Sequence, residues 1–302
     1  MSDFIEIIDV SPRDGLQSQP VLLGVEHKLE LIKRLIDAGI RRMEAASFVN
    51  PKRVPQMADA EEVVRGLPQR DDVTFIGLVL NLRGFERAIA CDIDEINCAV
   101  VASDTFNLRN QGTTTEGTME MIREITREAQ AAGKKLGVTV SAAFGCPFEG
   151  EMPMEKVTGL VQRLAAMGYD HVSLADTIGA AGPSDVAGMI KRIRTLEPGL
   201  SLSCHFHNTR NTAVANTYAA IQEGVKIFDA SCGGVGGCPF APAATGNVAT
   251  EDLLYMIHRM GLKTGVDIDR IIETAKWLEG PLGTSMPAMV TRAGVFPSAK
   301  AA

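Results

Sequence analysis

One rhythm governs this chain from end to end: a short β-branched run, a loop, then a stretch with helical spacing, repeated eight times. The spacing predicts strands over 5–10, 42–46, 73–80, 95–101, 136–142, 171–175, 200–205 and 226–231. It predicts helices over 25–38, 56–65, 84–90, 114–132, 154–167, 184–196, 213–223 and 250–260. In the first helix Leu29, Ile32, Leu35 and Ile36 fall on one face, three and four residues apart. Strands alternating with helices imply parallel βαβ units. A count of eight favours a closed (β/α)8 TIM barrel over a doubly wound open sheet. Gly39, Gly133, Gly168 and Gly224 stand where helices would end in a left-handed cap.

No Pro/Ser/Gly-rich linker divides the chain, so residues 1–302 read as one domain, with roughly 264–302 as a C-terminal extension. That extension carries one more helix over 267–278, and 283–302 is poorly patterned. A hydrophobic share of 45% is enough for the large core such a barrel needs. The formal charge is −7 and there is no basic run, which argues against a nucleic-acid partner. No apolar stretch is long enough to span a membrane. Met1-Ser2-Asp3-Phe4 lacks the basic and apolar regions of an export signal, and the six cysteines form no Cys-x-x-Cys pair. Reduced thiols and a cytoplasmic location are expected, with a homodimer as the default oligomer.

In such a barrel the reacting groups come from the C-terminal ends of strands and the loops that follow. The unusual polar residues fall there. Arg13 and Asp14 follow strand one, Glu44 and Ser47 end strand two, and Asp176 follows strand six. His205 and His207 stand two apart at the end of strand seven and so share a face. A Gly-rich loop, Gly233 to Pro239, follows strand eight and leads to Gly246-Asn247. Taken singly each is weak: Arg13-Asp14-Gly15 reads as a turn, Asp176 as a helix cap, and the His pair as satisfied structural histidines. The glycine loop lacks the Lys-Ser/Thr of a P-loop and the spacing of a dinucleotide fingerprint. Together at one mouth, Asp14, His205, His207 and the Asn247 amide oxygen make a mixed N/O site. That set suits Mg²⁺ or Mn²⁺, with Zn²⁺ as a further option.

An ordered set of motifs carries a resemblance. Pro12 to Gln17, Glu44 with Ser47-Phe48-Val49, Gly145 to Gly150, Ser173 to Gly179, the His205/His207 pair and Gly236 through Asp252 resemble the 3-hydroxy-3-methylglutaryl-CoA lyase family. The resemblance runs over nearly the whole chain. It implies a TIM barrel, an acyl-CoA substrate, and cleavage to acetyl-CoA and acetoacetate with a divalent metal held by Asp14, His205, His207 and Asn247. It implies that Arg13 stabilises the enolate oxygen, that Cys238 sits on a closing loop, and that Glu44 and Asp176 shape the polar surroundings. Asp14 or His205 would be the base, and Cys238 or a bound water the acid. The same cleavage of another 3-hydroxy-3-substituted acyl-CoA, an acyl-CoA condensing enzyme and a non-catalytic binding barrel are the alternatives.

Departures cluster near the histidines. Asn208 replaces an acid and Arg210 an aromatic residue of the family pattern. The sequence expectation is that Asn208 alters the charge beside the metal and Arg210 meets a carboxylate or a CoA phosphate. Pro242 and its alanines stiffen the loop over 241–245.

Overall fold

The structure, a computed structural model, describes residues 3–237 and 246–297. Its strands are β1 (Glu6–Asp9), β2 (Arg42–Ser47), β3 (Thr74–Val79), β4 (Glu95–Val101), β5 (Lys135–Ser141), β8 (His171–Asp176), β9 (Ser201–Phe206) and β10 (Ile227–Ala230), with a small hairpin of β6 (Gly145–Cys146) and β7 (Gly150–Glu151) between. The eight long strands close in the order β1-β2-β3-β4-β5-β8-β9-β10, all parallel, with β10 paired back onto β1. The expected TIM barrel is therefore the fold, and each strand lies within a residue or two of its expected place.

The helices that join the strands are α1 (Val25–Asp37), α2 (Ala60–Arg65), α3 (Leu82–Ala90), α4 (Asp104–Gln111), α5 (Thr115–Ala131), α6 (Met154–Ala166), α7 (Pro183–Leu196), α8 (Ala213–Gln222) and α9 (Thr250–Arg259). At the C-terminus α10 (Ile268–Leu282) and α11 (Met289–Ala293) follow. Of the expected face of α1, Ile32, Leu35 and Ile36 are buried and Leu29 is partly buried against the core; Leu31, which the spacing did not place on that face, is buried as well. The four cap glycines at 39, 133, 168 and 224 all take positive φ.

Three segments differ from expectation. The helix over 56–65 is broken into a 3-10 turn, Pro55–Met57, and the short α2. The loop after β4 holds α4, capped by the Ser103 hydroxyl accepting the Phe106 amide at 3.1 Å and ended by Gly112 in the left-handed conformation. The C-terminal helix runs on to Leu282, and α11 lies in the poorly patterned tail.

The main core fills the layer between barrel and helices. In β4, Ile96, Cys98 and Val100 point there, 1% exposed or less. The alternate residues of the same strand, Glu95, Asn97 and Ala99, line a cavity inside the barrel.

Candidate metal centre at the barrel mouth

The chain leaves β1 through a π-helical turn, Ser11–Gly15, opened by Pro12. The Gly15 amide returns to the Val10 carbonyl at 3.1 Å, closing the turn. A Cβ on Gly15 would lie 2.7 Å from Val235 Cγ1, so glycine permits the close approach of the loop after β10. Buried Asp9 holds the turn from below: it accepts the Ser11 amide at 2.9 Å, the Ser11 hydroxyl, and the Thr250 hydroxyl at 2.8 Å. Burial pushes the Asp9 carboxyl up to about 6, against the opposing pull of those hydrogen bonds. The widened turn sends Arg13 and Asp14, adjacent in sequence, into the same mouth. Such turns recur at functional sites because they re-aim side chains that a regular helix would spread apart.

His205 on β9 and His207 just past its end lie side by side, with ring centroids 5.2 Å apart. Ligand-capable atoms of Asp14, His205 and His207 all lie within 4.8 Å of one another. The loop after β10 brings in Asn247, which bridges His207 in antiparallel fashion. Its Nδ2 donates to Asp14 Oδ2 at 2.9 Å and to the Val235 carbonyl at 3.3 Å. With both N–H bonds directed there, the amide oxygen is the atom left to meet a ligand. Asn247 Oδ1 and His207 Nδ1 are both buried without a hydrogen-bond partner among the described residues. Orphaned polar atoms beside a carboxylate and a second imidazole fit a divalent cation.

Electrostatics agree with that reading. Burial acts to raise the Asp14 carboxyl, but Arg13, His205, His207 and the Asn247 hydrogen bond outweigh it and hold Asp14 down to about 2. Asp14 is thus an anion at neutral pH. Burial, and then His205 beside it, bring His207 down to about 4, so it is neutral and keeps a lone pair for a metal. His205 is different: burial lowers it, but the hydrogen bond and charge of Asp229 prevail and raise it.

Arg13 is clamped between two carboxylates. Its Nη1 donates to Asp14 Oδ1 at 2.6 Å and its Nε to Glu44 Oε2 at 2.5 Å, with Nη2 also against Glu44. Only 12% of its side chain is exposed, so the planar group is fixed and desolvated. Glu44 in turn accepts from Asn97 Nδ2 at 3.5 Å, linking the mouth to the barrel interior. Burial raises the Glu44 carboxyl despite Arg13.

Asp176 stands behind the site. It is fully buried, and its carboxylate accepts the Ala180 and Ala181 amides at 2.8 and 3.0 Å. This fixes a turn in which a Cβ on Gly179 would lie 2.7 Å from the His207 carbonyl, so Asp176 braces the His207 backbone. Arg210 Nη1 donates to the Ile178 and Gly179 carbonyls at 2.9 Å, on the same turn. Asn208 Oδ1 accepts the Ala213 amide at 3.2 Å at the start of α8. Both departures from the family pattern are therefore tied into loop structure, and the Arg210 charge also acts on the Asp176 carboxyl. Cys238 and the loop over 241–245 lie outside the described residues.

Asp229, the register partner of His205 on the neighbouring strand, was missed by sequence reasoning. It faces inward from β10, and its Oδ2 lies 3.2 Å from His205 Nδ1. An acid within an otherwise apolar strand was the available signal.

The HMGL-like family matches residues 4–278, which span the barrel and every one of these groups. The chain belongs to the HMGL-like family. It is 41% identical to an (R)-citramalyl-CoA lyase of Chloroflexus aurantiacus, over 97% of this chain and 96% of that one. It is 39% identical to a hydroxymethylglutaryl-CoA lyase of Bacillus subtilis, over 94% and 95% of the two chains. Among solved structures, an HMG-CoA lyase from Acinetobacter baumannii in complex with coenzyme A and 3-methylmalate superposes with a TM-score of 0.95 at 38% identity, covering 99% of this chain and 97% of that one. The HMGL-like assignment agrees with the family resemblance read from the motifs.

Proposed function

We propose that this HMGL-like protein is a divalent-metal-dependent carbon–carbon lyase that cleaves 3-hydroxy-3-methylglutaryl-CoA to acetyl-CoA and acetoacetate. The observation that carries the reading is the convergence of Asp14, His205, His207 and Asn247 on one point beside a clamped Arg13. Those four residues would hold the ion, Mg²⁺ or Mn²⁺ by the predominance of hard and imidazole donors. A bound divalent ion supplies Lewis acidity toward the tertiary hydroxyl and a carboxylate oxygen of the substrate.

The protein's own groups supply the rest. Asp14 is the candidate base for the hydroxyl proton, through a carboxylate oxygen not given to the ion, and His205 is the candidate only in a state in which its Nε2 is not given to the ion. As the C2–C3 bond breaks, negative charge develops on the thioester oxygen. Arg13, already desolvated and held by Asp14 and Glu44, offsets that charge without reorganising. Glu44 and Asp176 position Arg13 and His207 respectively. Cys238, next after Gly237 in the sequence, is the candidate acid that protonates the enolate carbon.

The Chloroflexus relative supports a second reading, (R)-citramalyl-CoA, in which the carboxylate sits one methylene closer to the reacting carbinol. The two give different keto acids from the same bond cleavage. Incubation with each thioester and Mn²⁺, with and without chelator, separates them by whether acetoacetate or pyruvate is released. Release of neither would refute both of these substrates.

A further inference from the structure

The interior of a parallel eight-stranded barrel is ordinarily packed by layers of bulky Val, Ile and Leu. Here one side of it is hollow. Ser203, Ser173, Thr139 and Ala99 are register partners on four adjacent strands, β9, β8, β5 and β4, and all four line the interior cavity. The row lies two residues before His205 on β9. A step further in, Gly137 is the register partner of Asn97 and carries no side chain at all. It is a strand glycine without positive φ, and an added Cβ would press on the Asn97 and Glu95 side-chain oxygens, each at 3.2 Å. The backbone angle does not need glycine there; its absent side chain is what lets the Asn97 and Glu95 side chains lie along the inner face of β5.

The hollow is one space with the catalytic mouth. A cavity of about 210 Å³ runs from Arg13, Asp14 and the two histidines down past Thr139 and Ser173 to Arg42 and Glu95. The far end is closed by that last pair, with Arg42 Nη2 donating to Glu95 Oε1 at 2.6 Å. One wall is apolar, formed by Ile8, Val10 and Ile76 as a cluster separate from the main core. The other carries Ser173, 7% exposed, whose hydroxyl is buried without a hydrogen-bond partner and which lines the cavity. Charge excludes an anion: Asp14, Glu44, Glu95 and Asp229 face the space against Arg13 and Arg42, and both guanidinium groups are already paired.

We propose that this hollow is a subsite for the C3 substituent of the substrate, built for an uncharged chain longer than methyl. The preferred substrates are then 3-hydroxy-3-alkyl acyl-CoA thioesters with a C3 chain of about three or four carbons, alkyl or singly hydroxylated. The chain lies along Ile8, Val10 and Ile76, and Ser173 serves a hydroxyl on it. The proposal rests on the lyase reading above and deepens it.

The test compares 3-hydroxy-3-methylglutaryl-CoA with its 3-propyl and 3-butyl homologues, in the wild type and in Ala99→Leu, which refills the row. The wild type should cleave the longer homologues with kcat/KM at least equal to that for the methyl compound. Ala99→Leu should lower the propyl-to-methyl ratio tenfold or more. Calorimetry of the free 3-hydroxy-3-alkylglutarates with Mn²⁺ present gives the same comparison without turnover, and Ala99→Val serves if the leucine variant does not fold. Cleavage of the methyl compound with tenfold discrimination against propyl overturns the subsite and leaves the lyase reading standing. Cleavage of no thioester, with no binding of any acid, overturns both.

Discussion

His205 Nδ1 lies 3.2 Å from Asp229 Oδ2. A carboxylate at that nitrogen fixes the proton on Nδ1 and leaves Nε2 as the ring's lone pair for a cation. Asp229 therefore acts through His205 as a positioning residue. Asp229→Asn removes the charge and allows the amide to present either an oxygen or an N–H to the ring. Mn²⁺ affinity, read by titration of the free-ion EPR signal, should fall about 10- to 100-fold. An unchanged affinity would show that His205 needs no such partner.

Arg13 is held by two carboxylates rather than one, so its geometry and not only its charge is specified. Arg13→Lys keeps the charge but cannot reach Asp14 and Glu44 from one planar fork. The expected loss is in kcat, about 10²- to 10³-fold, as for removal of a preorganised donor to a developing oxyanion. Metal affinity should change far less, because Asp14 retains its Asn247 hydrogen bond. A rise in KM alone, with kcat intact, would place Arg13 in ground-state binding instead.

The barrel was legible in the sequence because its strands are β-branched runs of the right length and its polar residues cluster at one set of ends. The candidate metal residues were legible for the same reason: His205 ends a predicted strand, and Asp14, His207 and Asn247 come after predicted strands. α4 was not, because Asp104 to Gln111 has no apolar stripe, and only Ser103 and Gly112 mark its ends. Asp229 was hidden inside a strand, where periodicity looks for apolar content rather than for an exception. The hollow interior was written in the alternation of β4, β5 and β8. Asn97 and Ala99, Gly137 and Thr139, and Ser173 and Ala175 are small or polar, while Cys98 and Leu174 between them belong to the main core. Side-chain size on the inner face is visible only once the inner face is known.

Glu251 gives the fold a pH dependence of its own. It is fully buried at the start of α9 and accepts the Gly233 amide at 3.0 Å and the Thr291 hydroxyl. Burial raises its carboxyl from 4.5 to about 7. A group whose folded value is raised stabilises the fold fully below its unfolded value, and that stability is lost as pH rises through the folded value. The loss should fall between about pH 4.5 and 7 and amount to roughly 3 kcal/mol, taking about 1.4 kcal/mol per unit. Glu251→Gln imitates the protonated form. Its stability relative to the wild type should therefore climb across that window and level off above it, as measured by urea unfolding at a series of pH values. A difference that stays flat with pH would mean that Glu251 is ionised in the fold at ordinary cost.

Gly236 tests whether the amide of Asn247 is aimed or merely present. Its φ is +148°, and an added Cβ would lie 2.6 Å from Asn247 Nδ2. Both the backbone conformation and the space thus require glycine. Gly236→Ala must move either the loop or the Asn247 side chain, and the side chain is the softer of the two. Binding at a ligand concentration a hundred times Kd stabilises a protein by about 2.7 kcal/mol. Mn²⁺ should therefore raise the melting temperature of the wild type, and chelator should reverse the rise. In Gly236→Ala the metal-free melting temperature should fall modestly, and most of the Mn²⁺-induced rise should be lost. If the rise persists at the same Mn²⁺ concentration, Asn247 is not needed to hold the ion, and Asp14 with the two histidines suffices.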